Sequence, residues 1–454
     1  MLYQALRAAA DVALHWYYAD IVVQGAGRIP SGGPLVIASN HPNALVDALL
    51  VSTTMRRRVR LTAKATLFEH RLLARLLRTV GVVPLRRTQD ERVGPGAASV
   101  GTRNVESFRQ VTETLLRGDT VLIFPEGISH DAPALAPLKS GAARMALAAA
   151  EAGARDIRLL PLGLIFERKE QPRSRVLIRI GEPIDIDAWR ARTGSDASAL
   201  TATLDDALRH VTLNFASDAR ARRAITLARA LAAITDAPIS LGRARALTSE
   251  TELARRIERA TDALESASPA LVHQADAFIA RIEALESRLR TRGAVLVDVQ
   301  VSPRLRHGAW FVLREGVVIA VVFPIALLGR VLHWLPLRLA RALAMRPLVA
   351  DRSRDQPAMR TIVLGLVFVL AWYAIQALLV SHWFGSVVAT LWLIALVLAG
   401  RIDFLLRDRL ERAWNRARTY LALRADPALR DEALAEVRAI VTDGLALEAS
   451  LVPQ

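Results

Sequence analysis

From Ile21 to about Asp187, short runs of aliphatic and β-branched residues alternate with longer stretches whose apolar positions recur at helical spacing. The short runs are IVVQG, PLVIAS, GVVPL, TVLIF, IRLLPLGLIF and RVLIRIG, and the helical stretches include 104–116 and 141–152. This alternation predicts an α/β fold, a mixed sheet flanked by helices, over residues 21–187. Ahead of it, residues 1–20 place apolar and aromatic side chains at roughly helical spacing without a cleavage site. They read either as an interfacial helix with Trp16, Tyr17 and Tyr18 at headgroup level or as an ordinary packing helix. Residues 188–300 follow as amphipathic helices rich in Ala, Arg, Leu and Glu, a helical spacer or cap.

The pattern changes again over 301–400. Two apolar runs, Thr361–Val380 and Phe384–Gly400, are separated only by Ser-His-Trp and predict a C-terminal transmembrane hairpin. An earlier run, Gly316–Gly329, is shorter, contains Pro324 and is followed at once by Arg330. It predicts a re-entrant or interfacial segment over 316–335. Residues 401–454 read as cytoplasmic helices.

Composition sharpens this picture at three points. The chain has no cysteine, which excludes disulfides, thiolate metal sites and a cysteine nucleophile. Its formal charge of +16 fits nucleic acid, acidic substrates or an anionic membrane surface, but the arginines crowd beside the two long apolar runs, as at a cytoplasmic membrane face. No nucleic-acid partner is expected. The basic residues are arginines except for Lys64, Lys139 and Lys169. A site that needs a compact ammonium would resist exchange for arginine, so these three are of interest.

Candidate chemistry lies at the ends of the β-rich runs. Ala38-Ser39-Asn40-His41-Pro42-Asn43-Ala44-Leu45-Val46-Asp47 leaves a strand, and Pro42 suits the start of a helix. A histidine oriented by a carboxylate, here His41 with Asp47, can take the proton of an alcohol as that alcohol attacks a carbonyl carbon. Val121 to Asp131, with the core Phe124-Pro125-Glu126-Gly127, also runs from a strand into a polar turn. There Gly127 permits close backbone approach and Glu126 is a candidate contact for acceptor hydroxyls. Arg86, Arg87 and Lys139 sit at comparable strand or loop ends, and Lys139 precedes a helix start at Ser140 or Gly141. Together they form a candidate phosphate site.

In this order and spacing the segments resemble the glycerol-3-phosphate and lysophosphatidate acyltransferase superfamily, the PlsC-like enzymes. His41 and Asp47 fall on the histidine–aspartate pair, Arg86 or Arg87 on the arginine block, Phe124 to Gly127 on the FPEG block and Pro161 on a later proline block. The commonest family spacing leaves four residues between histidine and aspartate, whereas five intervene here. That wider spacing, with Asn-His-Pro-Asn and the Ser-His-Asp after FPEG, resembles the branch of fungal glycerol-3-phosphate/dihydroxyacetone-phosphate acyltransferases.

The resemblance implies an O-acyltransferase of phospholipid biosynthesis, with His41 as general base and Asp47 orienting it. It implies binding roles for Arg86, Arg87, Glu126, Gly127 and Lys139. Acyl-CoA or acyl-carrier protein would donate directly to glycerol-3-phosphate or a related phosphate-bearing acceptor, without cofactor or metal. A lysophospholipid acceptor and a non-catalytic lipid-binding tether are the competing readings. The expected partners are the thioester donor, the acceptor and membrane lipids, and the expected location is a membrane with the catalytic domain on the cytoplasmic face.

Overall fold

A computed structural model describes residues 2–69, 71–85, 100–235, 247–299, 305–345 and 356–451. Two compact units emerge, one comprising Met1–Asn214 with Pro347–Ile362, the other Phe215–Arg346 with Val363–Gln454.

The first unit is built on a mixed seven-stranded sheet. Its strands are β1 (Asp20–Gln24), β2 (Leu35–Ser39), β3 (Val59–Arg60), β6 (Thr120–Ile123), β7 (Arg158–Phe166), β8 (Arg175–Ile180) and β9 (Ile184–Asp185). The order is β1-β8-β7-β2-β6-β3, with β9 against β7. A separate parallel pair joins β4 (Thr62–Lys64) to β5 (Val83–Leu85). Central β2 is parallel to both β6 and β7, whereas β7 and β8 are antiparallel. Every residue of β2 and of β6 is buried, which explains why these strands read as unbroken apolar runs. Val36, Ala38, Val121 and Ile123 face one core, and Leu35, Ile37 and Leu122 face the other. The period-two alternation of a strand thus feeds two cores from one continuous run.

Helices cover both faces. On one lie α4 (Val100–Leu116), α5 (Gly141–Glu151), α6 (Ile186–Thr193) and α7 (Ala197–Val211). Trp189, Leu200, Leu204 and Leu208 are buried there, so the first helices expected in a spacer belong to the sheet unit, which runs to Asn214. On the other face lie α1 (Leu2–Tyr17) and α2 (Leu45–Thr54), with 358–362 packed against the same core. Tyr17 and Tyr18 belong to this core rather than to an exposed aromatic face. They are buried beside Leu14, and the Tyr17 hydroxyl donates to the Glu170 carbonyl at 3.0 Å. An aromatic pair suits a core as well as an interface, and here the core takes it. The short α3 (Arg71–Val80) completes this unit.

The second unit is helical: α8 (Asp218–Thr235), α9 (Leu247–Leu264), α10 (Pro269–Thr291), α11 (Leu305–Ala344), α12 (Gln356–Ala425, from Val363 onward in this unit) and α13 (Pro427–Leu451). Leu227, Ile234, Ile282, Leu285, Leu289, Val437 and Ile440 form its core. Two stretches, Gly308–Ala344 and Ala358–Ala425, are long and apolar enough to cross a membrane and are largely exposed, which fits membrane association.

The fourteen-residue apolar run proves to be the middle of a 40-residue helix that passes through Pro324 and Pro336. Gly385, at φ 84° and ψ 165°, breaks α12 into two arms, so the reversal falls after Ser-His-Trp rather than within it. The arms meet where the Trp392 indole N–H donates to Gln376 Oε1 at 3.3 Å. Trp383 and Phe384 stand exposed beside the break.

Candidate active site

The C-terminal ends of β2 and β6 open side by side, because the two strands are parallel and in register from Leu35↔Thr120 to Ala38↔Ile123. Ligand sites in open α/β sheets gather beyond such strand ends. Asn40, just past β2, is pinned to β7: its side chain accepts from Leu164 N–H at 2.7 Å and donates to the Leu164 carbonyl at 3.0 Å. His41 is thereby fixed at the sheet edge, where its ring stacks on Phe124 from the end of β6, with centroids 3.8 Å apart and planes 11° apart.

Helix α2 begins at Leu45 and carries Asp47 in its first turn. Ala44 takes a positive φ of 47° with ψ −128° and absorbs the fifth residue of the wide spacing. Asp47 consequently reaches back, and His41 Nδ1 donates to Asp47 Oδ2 at 2.9 Å. The same oxygen accepts the Asn43 N–H at 2.7 Å. Asp47 is wholly buried, and burial pushes its carboxyl up from the usual range, while the hydrogen bond and charge of His41 and the Asn43 amide pull it down. An isolated buried carboxylate costs several kcal/mol. Two hydrogen bonds to a charged acceptor return roughly 1.5–3 kcal/mol each, which keeps the ion tolerable rather than favourable. Committing Nδ1–H to the carboxylate leaves Nε2 as the basic nitrogen, and it has no hydrogen-bond partner among the described residues.

Glu126 is close by but does not point to solvent. Its Oε1 accepts the His41 backbone N–H at 2.9 Å, and its Oε2 accepts the Ala136 N–H at 2.8 Å and pairs with His130 Nε2. Both oxygens are occupied within the protein. Glu126 thus forms a brace that joins the His41 loop to the 126–136 loop.

Gly127 has φ +76°, and a Cβ there would meet Lys139 Nζ at 2.8 Å. The Lys139 chain thus crosses the bare face of the glycine, held by its N–H bond to the Pro125 carbonyl at 2.8 Å, just before α5 begins at Gly141. His41, Glu126, Gly127 and Lys139 belong to these two adjoining loops, and Asp47 to the first turn of α2, which follows the first of them. Arg86 and Arg87 lie outside the described residues.

Three contributors carried no assigned role in the sequence. Lys169, after β7, donates to the Pro42 carbonyl at 2.6 Å and pairs with Asp131, clasping the two loops together. The Ser129 hydroxyl accepts the Ala44 N–H at 3.2 Å, across the strained residue. His130 N–H donates to the His41 carbonyl at 3.3 Å. The scarcity of lysine and the Ser-His-Asp after FPEG were the available signals. Pro161 lines a different cavity, of 440 Å³, with Arg28, Arg179 and His210. Among the described residues no cluster of three or more His, Asp or Glu side chains has the geometry to hold a metal.

The sequence model of the family described as Acyltransferase matches residues 20–165. An uncharacterized acyltransferase of Schizosaccharomyces pombe is 23% identical over 255 residues, 39% of this chain and 38% of that protein. Glycerol-3-phosphate O-acyltransferase 2 of Saccharomyces cerevisiae is 42% identical over 85 residues, 18% of this chain and 11% of that protein. The chain thus spans well under two thirds of the length of these curated relatives. Among solved structures, the 1-acyl-sn-glycerophosphate acyltransferase PlsC of Thermotoga maritima aligns with 46% of this chain and 78% of its own, at 20% identity and a TM-score of 0.36. With its histidine–aspartate pair and FPEG turn at adjacent strand ends, the segment 20–165 matches the Acyltransferase family and is similar, over part of its length, to the glycerol-3-phosphate O-acyltransferases of Saccharomyces cerevisiae.

Proposed function

We propose that this protein transfers a fatty acyl group from acyl-CoA or acyl-carrier protein to a hydroxyl of glycerol-3-phosphate or a related phosphate-bearing acceptor. The observation that carries the reading is the His41–Asp47 pair, with Nδ1 committed to a buried carboxylate and Nε2 left open at the sheet edge. The acceptor hydroxyl gives its proton to Nε2 as its oxygen bonds to the thioester carbonyl carbon. The tetrahedral oxyanion then collapses, the carbon–sulfur bond breaks, and the departing thiolate takes the proton from the imidazolium. Asp47 stabilises that imidazolium and fixes the tautomer. No acyl-enzyme forms and no cofactor takes part. Glu126 and Lys169 act by positioning the His41 loop, while Lys139, with Arg86 or Arg87, binds the acceptor phosphate.

The membrane arrangement is part of the same proposal. The two arms of α12 form a transmembrane hairpin with its tip at Gly385, and both ends and the catalytic unit are cytoplasmic. Basic residues flank both ends, from Arg338 to Arg360 and from Arg401 to Arg418, while Ser-His-Trp carries no Lys or Arg. The stretch 316–335 is re-entrant or interfacial and does not cross. Glu315 pairs with Arg409 at 2.7 Å and Arg330 with Asp403 at 2.8 Å, which ties the stretch to the basic side of the second arm, while Gly329 packs against Ala399 and the Trp372 indole N–H donates to the Leu332 carbonyl at 2.8 Å, so its C-terminal end lies beside the two arms as a re-entrant segment would.

The test is to incubate purified protein with labelled acyl-CoA or acyl-carrier protein and a panel of glycerol-3-phosphate, dihydroxyacetone phosphate and lysophospholipids. Acylated glycerol-3-phosphate is the expected product. Acylation of lysophospholipid alone would reassign the acceptor, and no transfer to any acceptor would favour a tether.

A further inference from the structure

A second cavity lies in the helical unit, between the C-terminal half of α11 and the second arm of α12. Its volume is 540 Å³, and its lining includes Arg330, Arg338, Arg341, Arg407, Asp403 and Trp334. Four guanidinium groups thus face one carboxylate. Arg330 and Arg407 share Asp403, at 2.8 and 3.7 Å. Arg338 instead lies 5.3 Å from the Trp334 ring centroid, and Arg341 has no ion pair with a described residue. The cavity is therefore cationic, with Arg338 and Arg341 available for an anion.

Its depth narrows the ligand. Asp403 and Arg407 follow directly on the apolar stretch that ends at Gly400, so the charged lining sits where that stretch meets the headgroup region. Beside the arginines, Val331, Leu335 and Leu339 on α11 are exposed apolar side chains. A basic recess with an apolar flank at this depth matches an amphiphile better than a free anion. Arginine forks bind phosphate oxygens in pairs, which a zwitterionic headgroup, carrying its own cation, satisfies less well.

We propose that this cavity binds the phosphate headgroup of an acidic phospholipid, with the acyl chains lying along the exposed face of α11. The proposal rests on the membrane arrangement proposed above but not on the acyl-transfer reading.

The full-length protein in detergent micelles is titrated with fluorescent phosphatidate and, separately, with fluorescent phosphatidylcholine. We expect phosphatidate to bind more tightly, and the double variant Arg338→Gln/Arg341→Gln to lose about tenfold or more of that affinity while phosphatidylcholine binding is unchanged. The double variant Arg338→Lys/Arg341→Lys keeps part of the preference. Unchanged phosphatidate binding by the glutamine variant, or an equal loss for both lipids, overturns the proposal. Millimolar inorganic phosphate that displaces the phosphatidate probe would identify a free-anion site and overturn the lipid assignment. Should the glutamine pair fail to fold, Arg407→Gln supplies the same comparison, with a selective loss expected and an unselective or absent one contradicting it.

Discussion

Asp47 is the residue at which stability and chemistry oppose each other most clearly. Burial raises its carboxyl pKa above the unfolded value. Such a group contributes stability below the ordinary carboxylate range, and that contribution is lost as pH rises through the raised folded value, so at neutral pH the ionised side chain is a cost. Asp47→Asn can keep an acceptor for Asn43 N–H and His41 Nδ1–H, while its amide nitrogen occupies the place of Oδ1, which is buried without a partner. Thermal melts from pH 4 to 8 are expected to show the variant at least as stable as wild type at neutral pH, with the difference shrinking toward acid. Transfer is expected to fall by on the order of 10³- to 10⁴-fold, because the carboxylate no longer supports the imidazolium. A variant that melts well below wild type at pH 7 would make Asp47 a structural residue. The candidate pair was legible from its motif, but the role of Glu126 was not. A carboxylate in a strand-end turn looks the same whether it faces a ligand or braces two loops, and only the long-range bonds to His41 and Ala136 distinguish the two.

The elements that matter most are the two loops, and each holds a backbone conformation that a side chain resists. Ala44, at φ 47°, stores about 1–3 kcal/mol of strain in bringing Asp47 back to His41. Ala44→Gly is expected to raise the melting temperature with transfer retained, whereas Ala44→Val lowers both. Loss of transfer in the glycine variant would mean that the alanine methyl itself is needed. In the second loop, a side chain at Gly127 would strike Lys139. Gly127→Ala and Lys139→Ala are each expected to raise KM for the phosphate acceptor more than they lower kcat. In a double-mutant cycle their effects should be strongly non-additive, since both act on one ammonium. Additive effects would separate Gly127 from the phosphate site.

Strand runs such as PLVIAS and TVLIF were readable because strands covered on both sides are apolar throughout. Helices 186–193 and 197–211 were misassigned because an amphipathic stripe shows that a helix packs without showing which core receives it.

At the scale of the whole chain, charge and helix length give different counts of crossings. The 40 residues of α11 would extend roughly 60 Å, twice the hydrocarbon thickness, so length permits a crossing that the flanking arginines oppose. The absence of native cysteine allows a direct test with single cysteines placed at Ser195, Arg352, His382 and Leu421. Labelling of 195, 352 and 421 from the cytoplasmic side only, with 382 reached only from outside, is expected. Reaction of 352 from outside would show that α11 crosses.

The central claim is that His41 Nε2 accepts the proton of the acceptor hydroxyl, and its most direct test is transfer of labelled acyl groups by His41→Ala. Wild type and variant are compared at equal amounts of membrane-attached, folded protein, with thermal melts run in parallel. The account predicts that the variant still folds, with a melting temperature lowered by loss of the hydrogen bond to buried Asp47, and that transfer falls by roughly 10²- to 10⁴-fold, the usual worth of a positioned base. Substantial turnover by a folded His41→Ala protein would contradict it.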